Sequence, residues 1–413
     1  MKNKQKRLLL LGGAHYLRPV IREAHALGLY VITCDYLPDN SAHKLSDQYC
    51  NVSIVDKEAV LAAARELHID GVMSFACDPG VVTAAYVAEQ LGLPSVGSYE
   101  AVSILQNKGR FRAFLREHGF NVPWAKSYTD PAAALADASA FPWPMIVKPV
   151  DSAGSKGVSR VDSAGELRRA INHALDYSLS GAFIVEQFIP QQGYSSDTDC
   201  FSVDGRLVYC SFDEQRFDSG AENPYTPAAY AWPSTMPAPI QDELRAELQR
   251  LITLLGLGTS VYNIETRMGA DGKAYIMEVS PRGGGNRLSE VLELATGVKL
   301  VQNAVRAAVG LPVDAMEDPV YQGHWAEIIL HSDRTGRFHA LNIDPAAASM
   351  VAEIDLWVIP GEMVERFSGA NKAIGTLVMN FPDRQTLERY MSDDSWYHIA
   401  VEEEVAARAP ALV

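Results

Sequence analysis

The sequence predicts a multidomain chain of mixed α/β and α+β class: a parallel sheet with helices on both faces, then an α+β region, then a small strand-rich cap. Three observations carry that expectation. At 413 residues the chain is too long for one hydrophobic core, so roughly two to four compact units are expected. Residues 1–97 alternate strand and helix patterns. From Ser98 the pattern shifts to amphipathic helices, hairpins and a long polar loop, and from 313 to short strands, which divides the chain at 1–97, 98–312 and 313–413.

Within 1–97, RLLLLGG reads as a buried strand, RPVIREAHALG as a helix ended by Gly28, and LYVITCDY as a second strand. The helix EAVLAAARELHI leads to the strand DGVMSF, and VVTAAYVAEQLGL followed by PSVG repeats the cycle. Such alternation specifies a parallel sheet, because each parallel pair needs a crossover connection. Gly12-Gly13 turns the first strand into its helix at a place where an anion could dock. The third glycine of a dinucleotide fingerprint is missing, so a plain turn is the preferred reading.

In the second region, ILQNKGRFRAFLREHG is an amphipathic helix closed by Gly119, NVPWAKSY an extended link and FPWPMIVKPV a strand. The helix AGELRRAINHALDY and the strand GAFIVEQFI follow. DTDCFSVDG and RLVYCSFDEQ form an antiparallel pair around the Asp204-Gly205 turn. A long loop, FDSGAENPYTPAAYAWPSTMPAP, precedes the helix IQDELRAELQRLITLLG; loops of this length are more often functional than idle. VYNIETRM and KAYIMEVS make a hairpin through Gly269-Ala270-Asp271-Gly272, and HWAEIILHSD and KAIGTLVMNF are strands of the cap.

Composition narrows the function. Lys plus Arg number 36 against 51 Asp plus Glu, a net charge of -15, which argues against nucleic acid and anionic membrane as partners. No apolar stretch reaches the roughly 20 residues of a membrane span. The start MKNKQKRLLLLGGAH imitates a secretion signal, but His15 and Arg18 cut its apolar run, so it reads as a first strand behind a basic start. Cys34, Cys50, Cys77, Cys200 and Cys210 are odd in number and lack paired spacing, which fits a reducing cytoplasm better than a disulfide framework or a zinc site. Cys77, in SFACDPG, has no histidine in its own motif and reads as a buried thiol rather than a nucleophile. His324, His331 and His339 show no helical metal spacing.

Two stretches carry chemistry. KPVDSAGSKGV, from Lys148 to Val158, ends a strand in a lysine and continues as a small-residue loop with a second lysine. It is not a Walker loop, since Lys156 precedes Gly157 instead of Ser or Thr. Because SRVDS looks like another strand, the loop reads as a hairpin flap. The second stretch is IETRMGADGKAYIMEVSPRGGGNRLSE. Glu265 and Glu278 lie on adjacent hairpin strands at positions that can share a face. Paired like charges destabilise a sheet unless a cation neutralises them, and hard oxygen ligands suit magnesium. Ser280 shares the face of Glu278 and adds an oxygen, and the planar guanidinium of Arg282 can grip a phosphoryl group.

At this point the sequence resembles the ATP-grasp enzymes, in the branch of carbamoyl phosphate synthase, biotin carboxylase and purine biosynthesis. Lys108 on a helix, Lys148 at a strand end, the glycine-serine flap, the strand VEQFI and the carboxylate hairpin ending EVSPRGGG carry the likeness, through their order rather than any one motif. The resemblance implies a Rossmann-like first domain, a two-lobed core whose flap-bearing lobe covers about 124–190, and a C-terminal cap. It implies that Lys108 and Lys148 contact the ATP phosphates and that Ser152, Ala153, Gly154, Ser155, Lys156 and Gly157 close over them. Glu186, Gln187, Phe188 and Ile189 would form the hinge that reads adenine, with Phe188 packed in the core. Glu265, Glu278 and Ser280 would hold magnesium, or manganese in its place, and Arg282 would steady the transferring phosphate.

Two departures stand out. The family often has asparagine where Ser280 stands, and a ribose glutamate where Gly193 stands; Asp197 or Asp199 is a candidate to replace the latter, with plain decoration of a strand as the alternative. For the acid substrate, Asn286 and Arg287 past the hairpin are candidates, with a helix cap and a surface arginine as the alternative. Arg216 is a second candidate, with Asn223, Tyr225 and Tyr230 as pocket walls. The expected activity is an ATP-dependent ligase joining a small carboxylic or amino acid to an amine through an acyl phosphate. The alternatives are bicarbonate activation, as in carboxylases and carbamoyl phosphate synthase, and an ATP-binding sensor without turnover. The resemblance also implies dimerisation through the cap or the first domain.

Overall fold

The computed structural model of the chain describes residues 5–402, so the start of the basic segment ahead of the first strand lies outside them. Two units emerge, Met1–Glu214 with Pro233–Gln322 and Gln215–Trp232 with Gly323–Val413. In the first, β1 (Arg7–Leu11), β2 (Tyr30–Cys34), β3 (Gln48–Cys50) and β4 (Gly71–Ser74) form an all-parallel sheet in the order β3-β2-β1-β4. Leu8, Leu9, Leu10 and Leu11 are all buried, and since consecutive strand residues face opposite sides, β1 is covered on both. Helix α1 (Arg18–Ala26) joins β1 to β2, α2 (Lys57–Leu67) joins β3 to β4, and α3 (Asp78–Leu91) follows β4.

The sheet corrects one expected strand. PSVG forms none; it is a turn whose Val96 carbonyl accepts the Gly258 N–H at 2.6 Å. The fourth strand is instead β3, three half-buried residues with no periodic signature. Its neighbouring Asp47 carboxylate accepts the Val31 N–H at 2.7 Å, so a side chain helps fix that edge.

The expected single helix after Ser98 is two: α4 (Tyr99–Leu105) and α5 (Lys108–Glu117). Asn107 interrupts the amphipathic pattern because its side chain accepts the Arg110 N–H at 3.0 Å and caps α5. Lys108 thereby becomes the first residue of a helix, with its own N–H on Val150 O at 2.9 Å. The flap-bearing lobe follows: β5 (Ala125–Tyr128), α6 (Pro131–Asp137), β6 (Met145–Pro149), β7 (Ser159–Val161), α7 (Ala164–Asp176) and β8 (Phe183–Gln187). Its antiparallel sheet runs β5-β8-β6-β7, and β6 pairs directly with β7, making residues 150–158 the hairpin flap.

A second antiparallel sheet is built from β9 (Ser196–Val203), β10 (Arg206–Cys210) and, after the segment carrying β11 (Glu214–Phe217), β12 (Pro227–Trp232) and α8 (Ala238–Leu255), from β13 (Ser260–Met268) and β14 (Ala274–Ser280). Its order is β10-β9-β13-β14. Asp204 and Gly205, at φ 49° and 79°, turn β9 into β10 in the left-handed geometry that a two-residue hairpin needs. Cys200, Tyr262, Ile264 and Val279 share a core with Leu244, Leu248 and Leu251 of α8 and with Phe111 and Leu115 of α5. The opposite face of the same strands is polar. α9 (Leu288–Thr296) and α10 (Leu300–Ala308) complete the unit.

In the second unit, β15 (His324–Leu330), β16 (Gly336–Ile343), α11 (Pro345–Ala348), β17 (Val351–Leu356), β18 (Met363–Val364), β19 (Gly375–Phe381), α12 (Arg384–Ser392) and β20 (Tyr397–Glu402) follow in order. One sheet runs β11-β12-β15-β19-β17, and a second runs β18-β16-β20. The long segment read as a loop therefore supplies β12, with Ala229 and Ala231 in the core of this unit. Ala228 to Trp232 are all buried, so the strand lacks the polar-apolar alternation that would have marked it. Asn223 makes a local turn, accepting the Tyr225 N–H at 3.1 Å.

Candidate active site

The polar face of the second antiparallel sheet is a grid. Glu265 lies directly across from Glu278 on one side and from Asp197 on the other; two residues along, Asn263 lies between Ser280 and Asp199. The hairpin register read from the sequence thus places both glutamates on one face, and β9 adds two aspartates. Cations of the chain answer part of that charge. Lys108 Nζ stands 3.2 Å from Glu278 Oε2, and Arg267 Nη2 stands 2.8 Å from Glu265 Oε1. Both glutamates are about one-third exposed, so they are open to a further cation. Two carboxylates fit magnesium, which retains waters and shares phosphate oxygens with its nucleotide. Among the described residues no three His, Cys, Asp or Glu side chains converge as a closed metal site.

Burial, reinforced by the charge of Glu265, pushes the Asp197 carboxyl up to about 7. Burial also lifts Asp199, to about 6, although Ser289 and the Gly284 N–H donate to it. Asp199 Oδ1 takes the Gly284 N–H at 2.8 Å and Oδ2 takes the Ser289 hydroxyl, so this acid anchors the glycine turn after β14. Asn263 donates to Asp197 Oδ1 at 2.9 Å.

Lys148 is ion-paired with Glu186 Oε1, and the other oxygen of Glu186 receives Arg112 Nε at 3.0 Å. Arg112 further donates to Met277 O at 2.8 Å. Arg112 and Glu186 are buried, and Lys148 is half-buried beside them. Desolvation lowers Lys148 against the opposing pull of Glu186; burial would raise Glu186, but Arg112 and Lys148 outweigh it and hold the carboxyl at about 2. Arg112, one turn beyond Lys108 on the same helix face, escaped sequence reasoning, although the four-residue spacing of two cations was a legible signal.

Arg282 meets a partner that the sequence did not announce. Asp78, the first residue of α3, accepts Nε at 3.0 Å and Nη2 at 2.7 Å, while Nη1 donates to Gly283 O at 3.1 Å. Burial would raise Asp78, yet Arg282 and the Ser280 hydroxyl hold it below the usual carboxylate range. Ser280 donates to Asp78 Oδ1 at 2.9 Å and accepts Gln106 Nε2 at 3.2 Å. Two of the three glycines after Arg282 are sterically required: a Cβ on Gly283 would come within 2.2 Å of the Phe75 ring, and one on Gly284 within 3.0 Å of Asp199.

Asn286 and Arg287 both have left-handed backbones, at φ 52° and 71°. Asn286 Oδ1 accepts the Tyr16 hydroxyl at 3.4 Å, and Arg287 pairs with Glu290 at 3.4 Å. In the flap, Ser152 O accepts Lys108 Nζ at 2.9 Å, Gly154, Ser155 and Gly157 have φ between 58° and 70°, and Gly154 and Lys156 are exposed. Ala153 is half-buried beside them. In the hinge, the Gln187 N–H is taken by Trp124 O and the Phe188 N–H by Pro144 O, and Ile189 O accepts Arg267 Nη1 at 3.4 Å. Phe188 is not a core residue: it is half-buried, with the Arg160 guanidinium 4.5 Å over its ring, because it lies just beyond the end of β8.

Arg216 belongs to the second unit and is held there by both oxygens of Glu388 at 2.9 and 3.1 Å. For Cys77, burial, with Asp78 next to it, pushes the thiol up to about 11, whereas the hydrogen bond with Cys34 lowers Cys50 to about 7. Iodoacetamide at pH 8 should therefore label Cys50 before Cys77, read by peptide mass mapping; preferential labelling of Cys77 would restore it as a nucleophile.

With this geometry in view, residues 141–290 match the ATP-grasp domain family. The chain carries an ATP-grasp domain. Its relatives include the carbamoyl phosphate synthase large chain of Halomonas eurihalina, 26% identical over 59% of this chain and 22% of that one. The formate-dependent phosphoribosylglycinamide formyltransferase of Parasynechococcus marenigrum is 26% identical over 75% of this chain and 78% of its own length. This chain therefore spans about a fifth of the former and most of the latter. The fold of the ATP-grasp domain and its flanking parts follows the crystal structure of an L-amino acid ligase from Bacillus licheniformis, with a TM-score of 0.79, 21% identity, and 97% of this chain and 100% of that one covered. No helix among the described residues is long and apolar enough to cross a membrane.

Proposed function

We propose that the protein is an ATP-dependent carboxylate-amine ligase that works through an acyl phosphate. The observation that supports it most is the register of Glu265 against Glu278, two carboxylates facing each other with Lys108 between one of them and the flap. A carboxylate resists attack by an amine because oxide is a poor leaving group. Transfer of the ATP γ-phosphoryl group to a carboxylate oxygen, with departure of ADP, supplies a better one. The amine nitrogen then attacks the acyl carbon, phosphate leaves and the nitrogen gives up a proton.

Each group has a role that its chemistry allows. Lys108 and Lys148 neutralise the polyphosphate, and Arg282 stabilises charge on the phosphoryl group in transfer. Glu265 and Glu278 would hold magnesium, which when bound screens the negative oxygens of the triphosphate. The glycine flap shields the acyl phosphate from water, and Phe188, with Arg160 over its ring, would cover the adenine. Asn286 and Arg287 are the candidates for the carboxylate of the acid. The relatives named as ligase and formyltransferase agree with chemistry of this class.

The test measures ADP release with pools of small carboxylic acids and of amines, together and separately. Turnover that needs one member of each pool is the expected result. Release with bicarbonate alone would replace the proposal by carboxylate activation of that anion, and tight ATP binding with no ADP from any combination would make the chain a sensor.

A further inference from the structure

We infer that Asp78 is a positioning residue for Arg282, acting on catalysis from the parallel-sheet region through that arginine alone; this rests on the ligase reading above. The two residues are 204 positions apart and meet as a bidentate pair, with Asp78 side-on to the guanidinium. A guanidinium has five N–H donors. Asp78 uses two and Gly283 O a third, so one N–H remains on each terminal nitrogen. Those two donors are what a phosphoryl group or acyl phosphate can receive. Arg282 alone would rotate about its side-chain bonds; gripped along one edge, it presents the remaining donors in one orientation without reorganising during the reaction.

Independent features hold the grip in place. Asp78 begins α3, where the helix dipole favours a negative charge. The turn before it contacts the turn after Arg282: Ala76 N–H donates to Gly283 O at 3.1 Å, and Gly283 lies so close to Phe75 that no side chain fits there. Ser280 gives its hydroxyl proton to Asp78 while receiving Gln106, which orients the acid. The serine that stands where the family often has asparagine thus serves the arginine, while Glu265 and Glu278 would supply oxygens to magnesium.

A double-mutant cycle tests this with the full chain and the substrates that the ADP assay identifies. Asp78→Asn keeps the shape and removes the charge. Its kcat should fall about a hundredfold, as for loss of one preorganised transition-state donor, with KM for ATP within about threefold. In an Arg282→Lys background the same change should cost less than about threefold, because the group through which Asp78 acts is already gone. Asp78→Glu should recover part of the activity, and Ser280→Ala should lower kcat in the Asp78 background only. Thermal melting of each variant shows that it is folded. Equal losses from Asp78→Asn in both backgrounds, or a rise in KM alone, would overturn the positioning role while the ligase stands. A wild-type chain that releases no ADP would instead remove the ligase reading and this inference with it.

Discussion

Glu278→Gln should lower turnover by about two to four orders of magnitude, the scale of several kcal/mol of lost charge stabilisation at a phosphoryl-transfer site, and leave the fold intact. The two halves of that expectation have separate causes. Turnover falls because an amide oxygen is a weaker ligand than a carboxylate and because Lys108 loses the charge that fixes its Nζ at 3.2 Å. Stability holds because Glu278 is about one-third exposed and faces Glu265, so removing its charge relieves a cross-strand repulsion. The melting temperature should stay at the wild-type value or rise slightly. A steady-state ADP assay beside a melting curve decides it: near-normal kcat would remove the metal assignment, and a collapsed melting transition would make Glu278 a structural residue.

Glu186→Ala should act on stability instead. It strips the common anion from Arg112 and Lys148 and leaves the Arg112 cation buried without it, which costs about 3–5 kcal/mol for a broken buried pair. Glu186→Gln retains hydrogen bonding and should cost less. The pH dependence has a definite sign. The carboxyl is held at about 2 in the folded chain against an ordinary value of 4.5, so its stabilisation is complete above about 4.5 and disappears as the pH falls toward 2. The difference in unfolding free energy between wild type and Glu186→Gln, measured by denaturant titration, should therefore shrink through that window. A difference constant from pH 6 to pH 3 would mean that the pair with Lys148 and Arg112 does not carry the effect.

How much of this could be read from the chain depends on the range of each interaction. The glutamate pair was legible because a hairpin is local: once Gly269 to Gly272 turns the chain, register follows, and period-two alternation sends Glu265, Glu278 and Ser280 to one face and Ile264 and Val279 to the other. The flap was legible for the same reason, being a short loop between paired strands. The break in the helix before Lys108 was visible only as Asn107, a capping residue inside an apparently continuous apolar pattern. The strand β12 was hidden because Ala228 to Trp232 are all buried, which leaves no polar-apolar alternation.

By itself, then, the sequence determined the strand-helix alternation of the first sheet, the two hairpins and the facing of Glu265 against Glu278 across one of them, since each depends on residues only a few positions apart. Only the tertiary structure decided who neutralises whom. Arg112 finds Glu186 across 74 residues, Asp78 finds Arg282 across 204, and Arg216 finds Glu388 across 172 within the second unit. A charge carries no periodic mark of its partner, because Coulomb attraction acts between positions in space, and those positions exist only after separate elements have packed.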